Sequence, residues 1–292
     1  MNNRLFRGSG VALATPFRSG EIDFEAFERL IDRQLEAGTD ALVVCGTTGE
    51  PPTIRREERE WLIECALRRV GGRIPVVAGV GSNDTRAAVR LARQAREAGV
   101  DALLAVTPYY NKTTQAGLEA HFTAIADAVD IPLILYNVPA RTGLNLLPET
   151  AAALARHPNV CGVKEASGSI SQVAELARLC GDRIALYAGN DDQILPVLAL
   201  GGQGVISTAA NVCPALIRRL CASFFAGDIG DARDLQLRLN PLFTALSAEV
   251  NPIPLKAALS MLGLCADEVR LPLVPAGAPC RARLREALAA LE

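Results

Sequence analysis

Eight short apolar runs, each followed by a stretch with helical periodicity, constrain this chain more than any other feature. They are VALATPF (11–17), ALVVCG (41–46), IPVVAGVG (74–81), ALLAVTPYY (102–110), PLILYNVP (132–139), VCGVKEAS (160–167), IALYAGND (184–191) and GVISTAANV (204–212). Runs this rich in valine, isoleucine and leucine belong to strands covered on both faces, and their alternation with helices calls for a parallel sheet. Eight such units predict an α/β fold closed into a (β/α)8 TIM barrel. An open doubly wound sheet is the alternative, but it needs fewer strands and a topological switch point.

The intervening helices carry ordinary start and stop signals. DFEAFERLIDRQLEAG ends in Gly38, and DTRAAVRLARQAREAG starts at a capping Asp84 and ends in Gly99. Arg86, Arg90 and Arg93 form a basic stripe on the second of these, read here as a solvated outer face rather than a polyanion site. After the eighth run come about 80 residues of helical pattern without a ninth strand. Breaks are expected there at Gly227, Gly230, Asn240–Pro241 and Asn251-Pro252-Ile253-Pro254. The expected organisation is therefore a catalytic barrel over 1–225 and a C-terminal helical appendage over 226–292.

Composition removes several function classes. The chain is 292 residues long with half its residues apolar and a net charge of -2, which argues against an electrostatic nucleic-acid binder. MNNRLFRGSG has no apolar h-region and no run has the length of a membrane span, so a cytoplasmic protein without membrane or nucleic-acid partners is expected. The eight cysteines stand singly, without metal or redox spacing, and read as small buried hydrophobes. His121 and His157 are the two histidines. Each has an ordinary packing or capping role at its position, so no metal site is expected. GSG at 8–10 and GVG at 79–81 lack the dinucleotide spacing. GGQG at 201–204 has no basic residue beside it and reads as a tight turn rather than a phosphate loop.

Lysine is the rarest charged residue. Of 30 basic residues only Lys112, Lys164 and Lys256 are lysines. Lys164 ends the apolar run VCGVK, where an always-charged arginine could not act as a nucleophile but a desolvated amine can form a Schiff base with a ketone. The alternative is a stem packed in the core with its head at the rim.

Barrel active sites lie at the C-terminal ends of the strands. GTTGE (46–50), TPYYNK (107–112), YNVPARTG (136–143), VKE around Lys164 and AGNDD (188–192) all fall there. Tyr109, Tyr110 and Tyr136 share these ends, whereas Tyr187 lies within a run and reads as core. Parallel neighbouring strands place Tyr136 beside Lys164, a phenol able to move protons for an amine. Glu165 points to the opposite face and takes a structural role.

GTTGE, YYNK, YNVPARTG, GVKEAS and GVIS, in this order, resemble the dihydrodipicolinate synthases, a branch of the N-acetylneuraminate lyase superfamily. The resemblance runs over essentially the whole chain. It implies condensation of pyruvate with aspartate 4-semialdehyde to 4-hydroxy-tetrahydrodipicolinate, on the way to diaminopimelate and lysine, with no cofactor beyond the covalent imine. By resemblance Lys164 forms that imine, Tyr136 donates and accepts protons, Thr47 relays them, and Tyr110 links the relay to solvent from the neighbouring subunit. Thr48 and the backbone at Ile206 hold pyruvate, and Gly189 lies beside the second substrate. A homodimer is the implied active unit, often paired into a tetramer. Asn190 departs from the family, which often has aspartate there; adjacent Asp191 remains.

Arg141 separates relatives, because a guanidinium there pairs with the carboxylate of a short amino-acid aldehyde. A 2-keto-3-deoxy sugar-acid aldolase or N-acetylneuraminate lyase is the alternative enzyme, and a metabolite-binding regulatory barrel is the non-enzyme one. The family's lysine effector site maps to Pro51, Pro52, Arg56, Arg59, Asn83, Ala87 and Tyr109. Sensitive members carry histidines where Arg56 and Arg59 stand and a glutamate at Ala87, so this effector site reads as degenerate.

Overall fold

A computed structural model of the chain describes residues 5–291. Eight strands, all parallel, close into one barrel: β1 (Gly8–Ala12), β4 (Ala41–Val44), β5 (Val76–Gly79), β6 (Ala102–Val106), β7 (Leu133–Asn137), β8 (Val160–Glu165), β9 (Ala185–Ala188) and β10 (Gly204–Ser207). A small hairpin, β2 (Phe17–Arg18) with β3 (Glu21–Ile22), follows the first strand. The helices that return the chain are α1 (Phe24–Glu36), α2 (Arg56–Val70), α3 (Thr85–Ala98), α4 (Gln115–Ala126), a short α5 (Pro139–Thr142), α6 (Pro148–Leu154), α7 (Ile170–Cys180), α8 (Ile194–Ala199) and α9 (Pro214–Phe225). Three more complete the chain: α10 (Ile229–Leu246), α11 (Ile253–Met261) and α12 (Ala278–Ala289).

Seven of the eight apolar runs contain their strand as expected, and the first corrects the reading. VALATPF holds only the end of β1, which begins at Gly8, while Phe17 starts the hairpin. GSG is thus strand. A side chain at Gly10 would press within 2.8 Å of the Phe6 ring, so the barrel floor needs glycine where sequence patterning looks for valine. Phe6 stacks on Tyr187 at 4.4 Å, and the Tyr187 hydroxyl donates to the Phe6 carbonyl at 2.9 Å. Together with Val43, Val77, Leu104, Ile134 and Cys161 they plug the barrel interior. The larger apolar layer lies between strands and helices, where the alternating faces of the strands meet leucine, isoleucine and phenylalanine from α1, α2 and α4.

Asp84 caps α3 by accepting from the Arg86 and Ala87 amides, and Gly99 ends it at φ 93. Arg86, Arg90 and Arg93 are exposed on its outer face. Two expected breaks are absent. Gly230 lies in the first turn of α10 and Pro241 in its interior. A proline inside a helix costs about 3 kcal/mol, and the burial of Leu235, Leu239, Leu242 and Phe243 along one face offsets it. Gly227 and the Asn251–Pro254 stretch do separate helices. All eight cysteines are free thiols, seven of them buried. Among the described residues no helix is long and apolar enough to cross a membrane.

The segment between α11 and α12 returns to the barrel. Arg270 donates to both carboxylate oxygens of Glu58 on α2, at 2.6 and 2.7 Å, and its guanidinium lies 4.3 Å from the Phe17 ring centroid. This contact, with help from Arg55, holds the Glu58 carboxyl down at about 2 against an ordinary 4.5. The depressed folded value means the stabilisation is complete above about pH 4.5 and is lost as pH falls through about 2. Glu58→Gln is expected to lose about 2–3 kcal/mol at pH 7 and to flatten the acid limb of stability. Urea unfolding from pH 2 to 7 checks this; parallel curves for both proteins refute it.

Candidate active site

Strand alternation decides which side chains reach the barrel axis. On β8, Lys164 faces inward and Glu165 outward. Glu165 is buried and accepts from Asn137 Nδ2 at 3.0 Å, from the Ser167 amide at 2.6 Å and from Gln172 Nε2 of α7 at 3.2 Å. Its role is structural, as its position in the strand predicts. Tyr136 on β7 is level with Lys164 across the ladder, and Lys164 Nζ lies 4.4 Å from the Tyr136 ring centroid. Both are almost completely buried, at 5% and 6% exposure. An amine held beside a phenol is an arrangement that can move protons.

These two open onto a cavity of about 570 Å³ that Thr47, Thr48, Arg141, Gly189, Asp191 and Asn251 also line. Thr47 and Thr48 sit in a 3-10 turn directly after β4, and Thr48 Oγ1 accepts from Asn251 Nδ2 at 3.0 Å. Arg141, on α5, donates to the Asn251 carbonyl at 3.3 Å. Gly189 follows β9 where a Cβ would come within 2.7 Å of Ala166. Only glycine packs that closely against the end of β8. Ile206 is fully buried in the barrel interior on β10.

Asp191 closes the far side. Its Oδ2 accepts from the Thr208 and Ala209 amides at 3.1 and 2.8 Å. Burial pushes this carboxyl above its usual range, while Ser207, the two amides and the Lys164 charge pull it back.

Tyr110 is not brought into this cavity by its own chain. It stands on the rim at φ 70 and is 90% exposed. Of the effector positions, Pro51, Pro52, Arg59 and Tyr109 line a second cavity of about 440 Å³, which shares Thr47, Val138, Arg141 and Asn251 with the first. Arg59 is fixed there by donation to the Gly79 carbonyl at 2.5 Å. Arg56 turns away to pair with Glu60 at 3.0 Å. Neither Arg56, Asn83 nor Ala87 lines this cavity.

Sequence reading missed the C-terminal wall. Asn251, Phe243, Ser247 and Arg283 all line the Lys164 cavity from the helical appendage. The one available signal was the Asn251-Pro252-Ile253-Pro254 break, where a polar side chain sits at a rigid bend.

The sequence model of the Dihydrodipicolinate synthetase family matches residues 5–291. The chain belongs to this family. The 4-hydroxy-tetrahydrodipicolinate synthase of Caldicellulosiruptor bescii is 55% identical over 285 residues, covering 97% of this chain and 96% of that one. That of a Thermoanaerobacter species is 54% identical over 271 residues, covering 92% and 91%. The solved dihydrodipicolinate synthase of Thermotoga maritima superposes with a TM-score of 0.97 at 46% identity, covering 98% of each chain. The dihydrodipicolinate synthetase family thus accounts for the whole barrel and for the helices after it.

Proposed function

We propose that the chain is a carbon–carbon bond-forming lyase that condenses pyruvate with L-aspartate 4-semialdehyde through a lysine Schiff base, the reaction of a 4-hydroxy-tetrahydrodipicolinate synthase. The observation that carries this is the Lys164 amine beside Tyr136 in a cavity that also holds Thr47, Thr48 and Arg141. Lys164 attacks the keto carbon of pyruvate, and loss of water leaves the imine. Loss of a methyl proton then gives an enamine whose carbon attacks the aldehyde. Each step moves protons, and Tyr136 is the group positioned to carry them, with Thr47 as its relay.

Thr48 and the backbone at Ile206 hold pyruvate in this reading, Gly189 flanks the second substrate, and Arg141 binds its carboxylate. The exposure of Tyr110 fits a side chain that serves a neighbouring subunit, so the active unit is a homodimer or a dimer of dimers. The imine on Lys164 is the only covalent group the chemistry needs. The enzyme belongs to the cytoplasm and to diaminopimelate and lysine biosynthesis. Residues 1–225 act as the catalytic barrel and 226–292 as a helical unit that walls its mouth. Product formation from pyruvate and the semialdehyde, compared with cleavage of 2-keto-3-deoxy sugar acids, tests the assignment. Cleavage without condensation overturns it.

Lysine is expected to inhibit weakly or not at all. Arg59, held at Gly79, keeps a permanent positive charge in the second cavity, and Ala87, which lies outside that cavity, carries no carboxylate where sensitive relatives have a glutamate. Two unfavourable changes of about 1 kcal/mol each weaken binding roughly 30-fold. Initial rates at saturating pyruvate across lysine concentrations check this. Clear partial inhibition at submillimolar lysine counts against it.

A further inference from the structure

The second buried lysine has no part in the chemistry above. Lys256, on α11, is fully buried, and its Nζ lies 3.1 Å from Glu50 Oε1, an ion contact without hydrogen-bond alignment. The same amine donates to the Glu268 carbonyl at 2.8 Å and sits 4.3 Å from the Phe17 ring centroid. Burial lowers its pKa, and Glu50 works against that shift. The other Glu50 oxygen accepts from the Arg270 amide at 3.0 Å. Two helical-appendage groups therefore grip one carboxylate.

That carboxylate is the last residue of GTTGE. Glu50 is itself left-handed, at φ 57, and it ends the 3-10 turn that carries Thr47 and Thr48 while starting the next. Its amide donates to the Thr47 carbonyl at 3.2 Å, and the adjacent Gly49 carbonyl accepts from Thr15 Oγ1 at 3.0 Å. A non-glycine residue keeps this backbone conformation only where its surroundings hold it. The buried ammonium and the Arg270 amide are the groups that contact its carboxylate.

We propose that Glu50 and Lys256 are positioning residues: their buried ion pair fixes the turn bearing Thr47 and Thr48, and so sets how well pyruvate is held. The proposal rests on the roles given to those threonines above. A misplacement of about 1 Å at a positioned group costs up to about 10²-fold. Removing the pair while the turn stays folded is expected to raise half-saturating pyruvate about tenfold.

The test uses the full chain with two variants, Glu50→Gln/Lys256→Met and Glu50→Asp. The first removes both charges at nearly constant volume, and the second keeps both but shortens the reach. Borohydride trapping of [14C]pyruvate is titrated for each beside the wild type, with thermal unfolding measured in parallel. Both variants should trap label at Lys164, with half-saturation shifted about tenfold in whichever variants fold. Wild-type half-saturation in either folded variant, whatever its thermal stability, overturns the proposal. Failure of the wild type itself to trap label overturns the Schiff-base reading instead.

Discussion

Lys164→Arg folds, and its condensation rate falls by roughly 10⁴-fold or more. The substitution keeps a positive charge at a site with 5% exposure and removes the only feature an arginine cannot replace, a nitrogen lone pair. Without the covalent route the barrier rises by ~5.5 kcal/mol or more. Borohydride reduction of the wild type in the presence of pyruvate discriminates among the three lysines. Lys112 is exposed, outside the cavity, and Lys256 is sealed between Glu50, Glu268 and Phe17. Lys164 alone combines burial with access to the cavity. Peptide mass analysis should therefore find one reduced pyruvyl group, on the peptide containing Lys164. A label on either other lysine would sink the assignment.

Arg141→Ala should separate the two substrates. Arg141 reaches the cavity from α5, and its exposed guanidinium has one backbone acceptor, the Asn251 carbonyl, so donors remain for a ligand carboxylate. Losing a charge-assisted hydrogen bond costs about 1.5–3 kcal/mol, a 10- to 150-fold rise in the Michaelis constant for the semialdehyde. Pyruvate is held by other groups in the proposed arrangement, so its constant should move far less. Steady-state kinetics with each substrate varied in turn decides it. Equal rises for both would show that Arg141 shapes the mouth generally.

The barrel was legible because burial on both faces leaves a continuous apolar signature in each strand, and helices between strands punctuate it. β1 escaped in part because Gly10 makes room for Phe6 and Gly8 for Asp40, and a missing side chain leaves no hydrophobic pattern to read. Pro241 misled for the opposite reason: a strong local breaker was overruled by the buried face of α10. Lys164 and Tyr136 were legible as neighbours because consecutive parallel strands of a barrel pair with each other and bring their C-terminal ends to the same rim. Asn251 was not, since its partner Thr48 is set by tertiary packing with no local spacing to betray it. The contact between Lys256 and Glu50 was hidden in the same way.

The span between Thr48 and Asn251 is 203 residues. A ribosome delivers Lys164, Tyr136, Thr47 and Thr48 well before it delivers Asn251, which donates to Thr48, or Lys256, which contacts Glu50. A nascent chain released from the exit tunnel as far as β10 thus has its barrel strands but an unfinished pocket. On the proposed chemistry, full affinity for pyruvate should arrive late in synthesis, after α11 has emerged, because the groups that contact Thr48 and Glu50 come last.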